Sequence, residues 1–293
     1  MHQRLITLAV AVCLAVAGSA HAQQMEANLG ALTPENAKGY LDPLRQPLSG
    51  TMNAAVFQSG SVPKTGFGLQ LGVQLMGVSL ASKDRTYTPT DPSGYSSVNA
   101  PTVIGDTHAV ASSGPGGATI YHPGGFDLNE FALAVPQLTI GSFAGTRAVV
   151  RYISLDVGDD EIGHFSLFGI GGQHSISQYM KDVPIDLAVG AFYQHMTLGD
   201  DDLVKASTFA VNATGSKRFG HFEPYVGVGF DNLSMEANYT VSSTSEDVHI
   251  DFDSSTAFHL TGGMQFIMPG VHLYLEGNLA ATNGAAVGLM FGN

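Results

Sequence analysis

The sequence is poor in cysteine, tryptophan and charge. It has one cysteine, Cys13, no tryptophan, and only 13% charged residues in 293. Cys13 lies in the N-terminal apolar run, so a chain that loses this run has neither a disulfide nor a thiol nucleophile. The formal net charge of −13 disfavours a nucleic-acid partner, since such binding needs a basic surface. This composition is not typical of a cytosolic enzyme.

Beyond its N-terminus the sequence also lacks a run of the roughly 20 apolar residues that a transmembrane helix needs. The N-terminus has Arg4, then an apolar run over 5–16, then Ala-His-Ala at 20–22. This order is typical of a secretory signal peptide, and we expect residues 1–22 to be removed. A lipoprotein signal would instead be cut at Cys13, but Cys13 lies too early in the apolar run and an intact Ala-x-Ala follows.

Residues 23–60 precede the region of alternating residues. The first ten are typical of an unstructured leader, whereas Thr33, followed by proline, provides a helix N-cap. Apolar residues then recur at spacings of three and four, and Pro43 and Pro47 interrupt them. We expect two short helices within 34–57. They would plug a barrel or close its periplasmic mouth, or else pack as a cap on its end.

From residue 66 onwards apolar residues alternate with polar or small ones. The stretch 184–197 is the clearest example, with Ile185, Leu187 and Val189 in its apolar row. Strand side chains alternate between two faces, and this stretch is about long enough to cross a bilayer when tilted. The pattern recurs about ten times over 61–293. It predicts an all-β fold, a closed antiparallel transmembrane β-barrel of about 10–12 strands with its apolar face toward lipid.

The predicted connections between strands fall into two classes that alternate along the chain. Short connections without an acidic run occur at 142–145, 180–183, 217–220 and 268–270. Longer or more acidic ones occur at 82–128, 158–160, 199–202 and 240–247, and the first of these has room for a further hairpin around 102–104 and 118–121. Outer-membrane barrels have short periplasmic turns and longer outer loops. An even strand number then places both ends of the barrel in the periplasm.

The less apolar face of each predicted strand collects polar and charged residues. Placing them toward lipid would cost a few kcal/mol each, so we expect them to line the lumen. They would form either a buried polar network or a selectivity lining. We expect Arg147 and Arg151 to pair with interior carboxylates or to bind an anionic group. The predicted lumen-lining residues are Gln70, Gln74, Arg147, Arg151, Asp186, Gln194, Glu223, Tyr225, His259, Gln265, His272 and Glu276.

The sequence predicts no cofactor, and the spacing of its histidines does not support a metal site. His249, Asp251 and Asp253 share a strand face beside an acidic loop; they would hold a divalent cation weakly or form a solvated strand end. The acidic turns would bind calcium, bridge to lipopolysaccharide through divalent ions, or serve as soluble turns. Serine and histidine are both common, but Gly-x-Ser-x-Gly and His-Glu-x-x-His motifs are missing, so we do not expect an enzyme.

Three segments carry a resemblance to known proteins: 36–44 (NAKGYLDPL), 131–141 (FALAVPQLTIG) and 163–180 (GHFSLFGIGGQHSISQYM). They resemble an uncharacterised family of bacterial secreted or outer-membrane proteins, a domain of unknown function. The resemblance covers roughly residues 30–293 and implies a Gram-negative envelope setting, with no activity or catalytic residue. In layout alone, a helical plug before a barrel is similar to the long-chain fatty-acid transporter family, which has more strands.

These observations predict a porin-like protein of the bacterial outer membrane. Its expected function is a passive channel or transporter for small or hydrophobic solutes, with outer-membrane lipid and lipopolysaccharide as its surroundings. One alternative is a non-transporting envelope barrel that acts in adhesion or membrane integrity through its long loop. A second alternative is a soluble periplasmic β-sandwich, which would have no reason to sort its turns into two classes.

Overall fold

The computed structural model describes residues 22–157, 163–199 and 202–293. Apart from Ala22, the predicted signal peptide lies outside these residues. So do the predicted acidic turn at 158–160 and two aspartates of the turn at 199–202.

Ten of the described strands close into one antiparallel barrel, as predicted. In chain order the strands are β1 Thr65–Ser79, the short loop strands β2 Thr86–Tyr87, β3 Ala100–Pro101, β4 Val110–Ser113 and β5 Thr119–His122, and then β6 Glu130–Phe143, β7 Thr146–Val157, β8 Gly163–Ser175, β9 Asp186–Leu198, β10 Val204–Ser216, β11 Phe222–Val241, β12 Glu246–Met268, β13 Val271–Leu279 and β14 Gly284–Gly292. β1 pairs with both β14 and β6, and this pairing closes the sheet. A closed sheet leaves no unpaired edge toward lipid.

The strand ends form two mouths. At the short-turn mouth, β6–β7, β10–β11 and β12–β13 are joined by connections of two to five residues. At the long-loop mouth lie the connection 80–129 and the turn 242–245. The turn 242–245 is shorter than the predicted loop at 240–247, because β11 and β12 extend further than their alternating pattern indicated.

The outer wall carries an apolar band bounded by aromatic pairs. On β11 and β12, Phe222 faces Phe266 near the short-turn mouth, and Phe230 faces Phe258 eight residues further along each strand. Eight residues span about 26 Å along a strand, or roughly 20 Å along the axis of a barrel with tilted strands. This height is close to the apolar band of about 25 Å in transmembrane barrels.

Beyond the pair Phe230 and Phe258, toward the long-loop mouth, the outward positions become polar on six neighbouring strands. This level is marked by Ser154, Ser166, His195, Ser207, Asn232 and Thr256. The strands continue past it, and the turn 242–245 of the β11–β12 hairpin is well beyond the band. The ends of these strands on the long-loop side therefore project beyond the apolar band.

Three short helices precede the barrel: α1 Ala22–Gly30, α2 Pro34–Leu41 and, after a 3-10 turn, α3 Arg45–Asn53. Thr33 caps α2, with its hydroxyl oxygen accepting from the Asn36 backbone N–H at 3.4 Å. Pro43 lies in the 3-10 turn, where the predicted break falls. Pro47 is tolerated because it lies in the first turn of α3. No helix in the described part of the chain is long and apolar enough to span a membrane.

The expectation of an unstructured leader at 23–32 is wrong. Most of this segment is helical, and Met25, Leu29 and Leu32 are buried. They pack in a core with residues of the projecting strands, including Tyr239 and Phe252. Met25 and Leu29 are four residues apart and share one face of α1, Leu32 follows in the turn after the helix, and β11 supplies a surface that covers α1.

The long connection 80–129 folds over the same mouth. It contains the hairpins β2–β3 and β4–β5. The predicted hairpin between 102–104 and 118–121 is wrong, because β5 pairs with β4. Val103 and Ile104 are instead buried beneath α2, where the Val103 N–H donates to the carbonyl of Tyr40 at 3.0 Å. We call α1, α2 and residues 80–129 the cap.

Residues 54–64, which we call the threaded segment, connect α3 to β1. β1 begins at the short-turn mouth, whereas α3 ends on the side of the long-loop mouth. The segment therefore runs through the lumen from the end of α3 to the short-turn mouth. Near its exit the carbonyl of Lys64 accepts from the Gly145 N–H at 3.0 Å. The helices thus lie at the mouth opposite the one with short turns.

Candidate functional site: the plugged lumen

The structure places all twelve predicted lumen residues on the inner side of the barrel, and none is exposed. Eight are buried: Gln74, Arg151, Gln194, Glu223, Tyr225, Gln265, His272 and Glu276. Gln70, Arg147, Asp186 and His259 are half-buried. Many of them contact the threaded segment or α3, so this side of the wall faces the chain's own N-terminal region.

Arg151 is the centre of these contacts. Its guanidinium donates to the carbonyls of Met52 at 3.0 Å, Ala54 at 2.8 Å and Ala55 at 2.7 Å. It also donates to the side-chain oxygens of Gln137 at 2.9 Å and Gln194 at 3.4 Å. All five of its N–H donors are therefore used. The carbonyls belong to the end of α3 and the residues after it, where a cation is favourable.

The prediction that Arg147 and Arg151 pair with interior carboxylates is wrong for the described residues. None of the ion pairs within 4.0 Å includes either arginine. Arg147 donates to Gln173 Oε1 at 2.9 Å and to the carbonyl of Ser59 at 2.8 Å. Both arginines therefore hold backbone carbonyls at the junction of α3 and the threaded segment or within that segment. A strand pattern shows which residues face inward but not what fills the space.

The interior glutamates hold donors of the threaded segment. Glu276 accepts from the Ala55 N–H at 2.8 Å and from the Tyr225 hydroxyl at 2.9 Å. Glu223 accepts from the hydroxyls of Ser59 and Ser216. The segment therefore donates hydrogen bonds to the wall at two levels of the lumen. The wall provides donors for the carbonyls of the segment and acceptors for its N–H and O–H groups.

Amide and apolar contacts complete the interface. Gln58 of the segment and Gln74 of β1 exchange hydrogen bonds at 3.1 and 3.2 Å. The ring of Phe57 lies edge-on to Phe192, with centroids 6.2 Å apart. It occupies space that Gly190 leaves open, since a Cβ there would lie 2.5 Å from the Phe57 ring. Beside the segment, a space lined by Gln58 and Arg147 has a volume of about 10 Å³, room for about one water.

The sequence analysis missed Asp231, Gln137 and Gln173, which are buried in the same interior. Asp231 accepts from the Ser49 hydroxyl and from Asn53 Nδ2, both on α3. It has the same strand parity as Glu223 and Tyr225, and this signal alone could have identified it.

The predicted weak cation site at His249, Asp251 and Asp253 is not part of this interior. Asp253 is exposed and lies 4.0 Å from Lys38 Nζ. Among the described residues no three His, Cys, Asp or Glu side chains are arranged to hold a metal.

In the cap, Tyr40 connects α2 to α1 and to the long connection. Its hydroxyl donates to the carbonyl of Gly124 at 3.0 Å and accepts from Asn28 Nδ2 at 3.0 Å. Burial raises the pKa of Tyr40 to about 12 from 10.0, although the bond from Asn28 acts in the opposite direction. Burial also raises the pKa of Tyr87, so the cap favours neutral phenols.

These pKa values predict an alkaline weakening of the cap. The folded state binds the Tyr40 proton more tightly than the unfolded state, so this stabilisation is full below pH 10 and is lost as pH rises to about 12. The loss is at most about 3 kcal/mol. Tyr40→Phe cannot ionise, so its stability deficit relative to the wild type should shrink over this range. Urea midpoints measured from pH 9 to 12 test this, with Tyr121→Phe, at an exposed tyrosine of the connection 80–129, as the control. A constant deficit would contradict it.

Several solved structures of bacterial proteins are similar to this chain. No protein of curated function matches the chain. Among solved structures, the outer membrane protease OmpT from Escherichia coli is 8% identical with a TM-score of 0.40, covering 80% of this chain and all of its own. The β domain of the Bordetella autotransporter BrkA is 12% identical with a TM-score of 0.31, covering 78% and 99%. The Ralstonia pickettii toluene transporter TbuX is 10% identical with a TM-score of 0.25, covering 80% and 90%.

The sequence itself matches the family of unknown function DUF6588 over residues 1–293. This match covers the cap, the threaded segment and the barrel together. The chain therefore belongs to the family of unknown function DUF6588.

Proposed function

We propose that this protein is exported by its signal peptide to the Gram-negative outer membrane, where it is a non-conducting envelope barrel that displays its cap at the cell surface. The observation that carries this proposal is the threaded segment. It fills the lumen, and Arg151, Glu276, Glu223 and Arg147 bind it from both sides. A solute of more than a few atoms has no room beside it while these bonds persist.

The difference between the two mouths supports the proposed orientation. Outer-membrane barrels place longer loops outside, and the long-loop side is rich in carboxylates such as Asp84, Asp106 and Asp247. The short-turn rim instead carries Lys64, Lys181, Lys217 and Arg218. Carboxylates at the outer surface are suited to share divalent cations with lipopolysaccharide phosphates, and we propose lipopolysaccharide and outer-membrane lipid as partners. The proposed role is in adhesion or membrane integrity, without catalysis.

A second candidate is a gated transporter for small or hydrophobic solutes. The wall that faces the threaded segment is polar and charged, with Gln70, Gln74, Arg147 and Glu223 among its residues. Withdrawal of the segment would expose these groups to water, which costs less than exposing an apolar wall. A lumen of this kind is compatible with an open state, which an entirely apolar core would not be.

Single-channel recording separates the two candidates. For the chain from residue 23 to 293 in planar bilayers we expect no steady current. The variant Gln58→Cys with Gln74→Cys, joined by a short thiol-reactive crosslinker, fixes the segment to the wall, and it should behave like the wild type. Currents in the wild type that disappear on crosslinking would reject the non-conducting barrel in favour of the gated transporter.

The orientation has its own test. The chain has no cysteine beyond Cys13, so single introduced cysteines can be labelled cleanly. On intact cells a membrane-impermeant maleimide should label Thr244→Cys, in the turn 242–245, and should label Lys217→Cys only after permeabilisation. The reverse pattern would invert the proposed orientation.

A further inference from the structure

A cleft opens beside α3 on the long-loop side of the lumen. Its volume is about 90 Å³, and its lining includes Ser49, Gly50, Asn53, Asp231, His259 and Asn278. It exists because β13 ends at Leu279, opposite Leu260, while β12 continues past this level without a partner on that side. One wall of the cleft is the helix that leads into the threaded segment, and the other is the barrel.

The floor of the cleft contains a carboxylate that is only partly satisfied. Asp231 is 4% exposed. Its Oδ2 atom accepts from the Ser49 hydroxyl and from Asn53 Nδ2. Its Oδ1 atom has one contact, 3.4 Å to His259 Nδ1. A buried carboxylate oxygen with a single long contact has capacity for a further donor.

A second acceptor in the same cleft has no donor. Asn53 Nδ2 donates to the carbonyl of Ser49 at 3.0 Å and to Asp231 at 2.8 Å. Both are acceptors, and this fixes the orientation of the amide. Asn53 Oδ1 is then buried without a hydrogen-bond partner within the described part of the chain. Buried polar atoms are rarely left unpaired, and an ion or ligand is one reason when they are.

The charge of the lining favours a cation. Asp231 contributes a negative charge, and no lysine or arginine is present among the described residues that line the cleft. The acidic long-loop side would also raise the local concentration of cations. A primary ammonium group offers three N–H donors and a positive charge, which matches two acceptors in need of donors, one of them a carboxylate.

We propose that this cleft binds a small solute bearing a primary ammonium group, held between Asp231 Oδ1 of the barrel and Asn53 Oδ1 of α3. The bound cation joins the wall to the helix that precedes the threaded segment. Since a ligand stabilises the state to which it binds, its binding strengthens the closed lumen. The inference goes beyond the proposed function and does not depend on whether the barrel ever conducts.

The test uses propylammonium as the probe and 1-propanol as a neutral probe of the same size. Isothermal titration of the chain from residue 23 to 293 in lipid nanodiscs should show saturable binding of propylammonium and at least tenfold weaker binding of 1-propanol. Asp231→Asn should weaken propylammonium binding at least tenfold. Asp247→Asn makes the same charge change in the exposed turn region and should retain the wild-type affinity.

A second variant guards against a fold defect in Asp231→Asn. Ala257→Leu leaves Asp231 in place and puts a larger side chain into the cleft. It should also lose propylammonium binding, whereas its barrel should remain folded in unheated detergent, as the wild type does. Propylammonium should raise the midpoint of thermal unfolding of the wild type but not of Ala257→Leu. Equal binding by the wild type and both cleft variants, or no binding by the wild type, would overturn the proposal.

Discussion

Arg151→Met should lower the free energy of unfolding by about 3 kcal/mol or more, one of the two largest effects expected for a single substitution here. Methionine fills similar space but donates no hydrogen bond. The carbonyls of Ala54 and Ala55 would be left buried with their donors removed, while that of Met52 would keep only the bond from Gln194, and each unpaired group costs about 1–3 kcal/mol. Burying the arginine charge is itself unfavourable, and Arg151→Met removes this cost. The expected decrease in the free energy of unfolding therefore lies toward the lower end of the summed costs of the unpaired carbonyls.

Urea titration of the refolded barrel in lipid vesicles measures the effect as a shift of the midpoint. Arg151→Lys separates charge from geometry, because an ammonium group retains the charge but cannot reach five acceptors in one plane. We expect its stability to lie between those of the wild type and Arg151→Met. Arg218→Met, at an exposed turn, should change stability by less than about 0.5 kcal/mol. An effect of Arg151→Met as small as that of Arg218→Met would show that the threaded segment does not depend on this residue.

Gly190→Val is expected to open the lumen by displacing the threaded segment. A Cβ at residue 190 would lie 2.5 to 2.9 Å from three atoms of the Phe57 ring, so valine and Phe57 cannot both keep their positions. The wall strand is held by hydrogen bonds to both neighbours, whereas the threaded segment is joined to the wall by fewer bonds. We therefore expect the segment to move, with a cost of about 1–3 kcal/mol from overpacking and steady current in planar bilayers.

Two further variants make this result specific. Gly262→Val adds the same side chain where no atom lies within 4 Å, and it should remain closed and stable. Phe57→Ala combined with Gly190→Val removes the clash, so it should conduct less than Gly190→Val alone. Two results together would contradict this expectation: Gly190→Val remains closed, and the double variant is no more stable than Gly190→Val or Phe57→Ala alone. Phe57 would then not hold the segment against this wall.

The barrel could be predicted because its signal is local. In the stretch 184–197 every second residue is apolar, and strand geometry turns this spacing directly into two faces. The same spacing placed all twelve predicted residues on the inner side without knowledge of any contact. α2 could be predicted for the same reason, because its N-cap Thr33 and the proline after it act within one turn of the helix.

The partners of these residues could not be predicted in this way. The arginines were expected to bind carboxylates, yet Arg151 binds backbone carbonyls far away in the sequence, and a backbone carbonyl has no sequence signature. The threaded segment has neither a helical nor a strand period, and nothing in its residues distinguishes it from a surface linker. The helix of residues 22–30 has a short apolar face that becomes stable only when β11 covers it.

The sequence by itself thus determined the strands, the two faces of the sheet and the residues that face inward, because each of these depends on neighbours along one strand. Only the tertiary structure decided that the N-terminal region runs through the lumen, that Arg151 holds it there, and that a cleft remains beside Asp231. These features depend on which distant segments meet once the sheet closes. Closure creates an interior that must be filled, and a pattern of alternating residues does not say which part of the chain fills it.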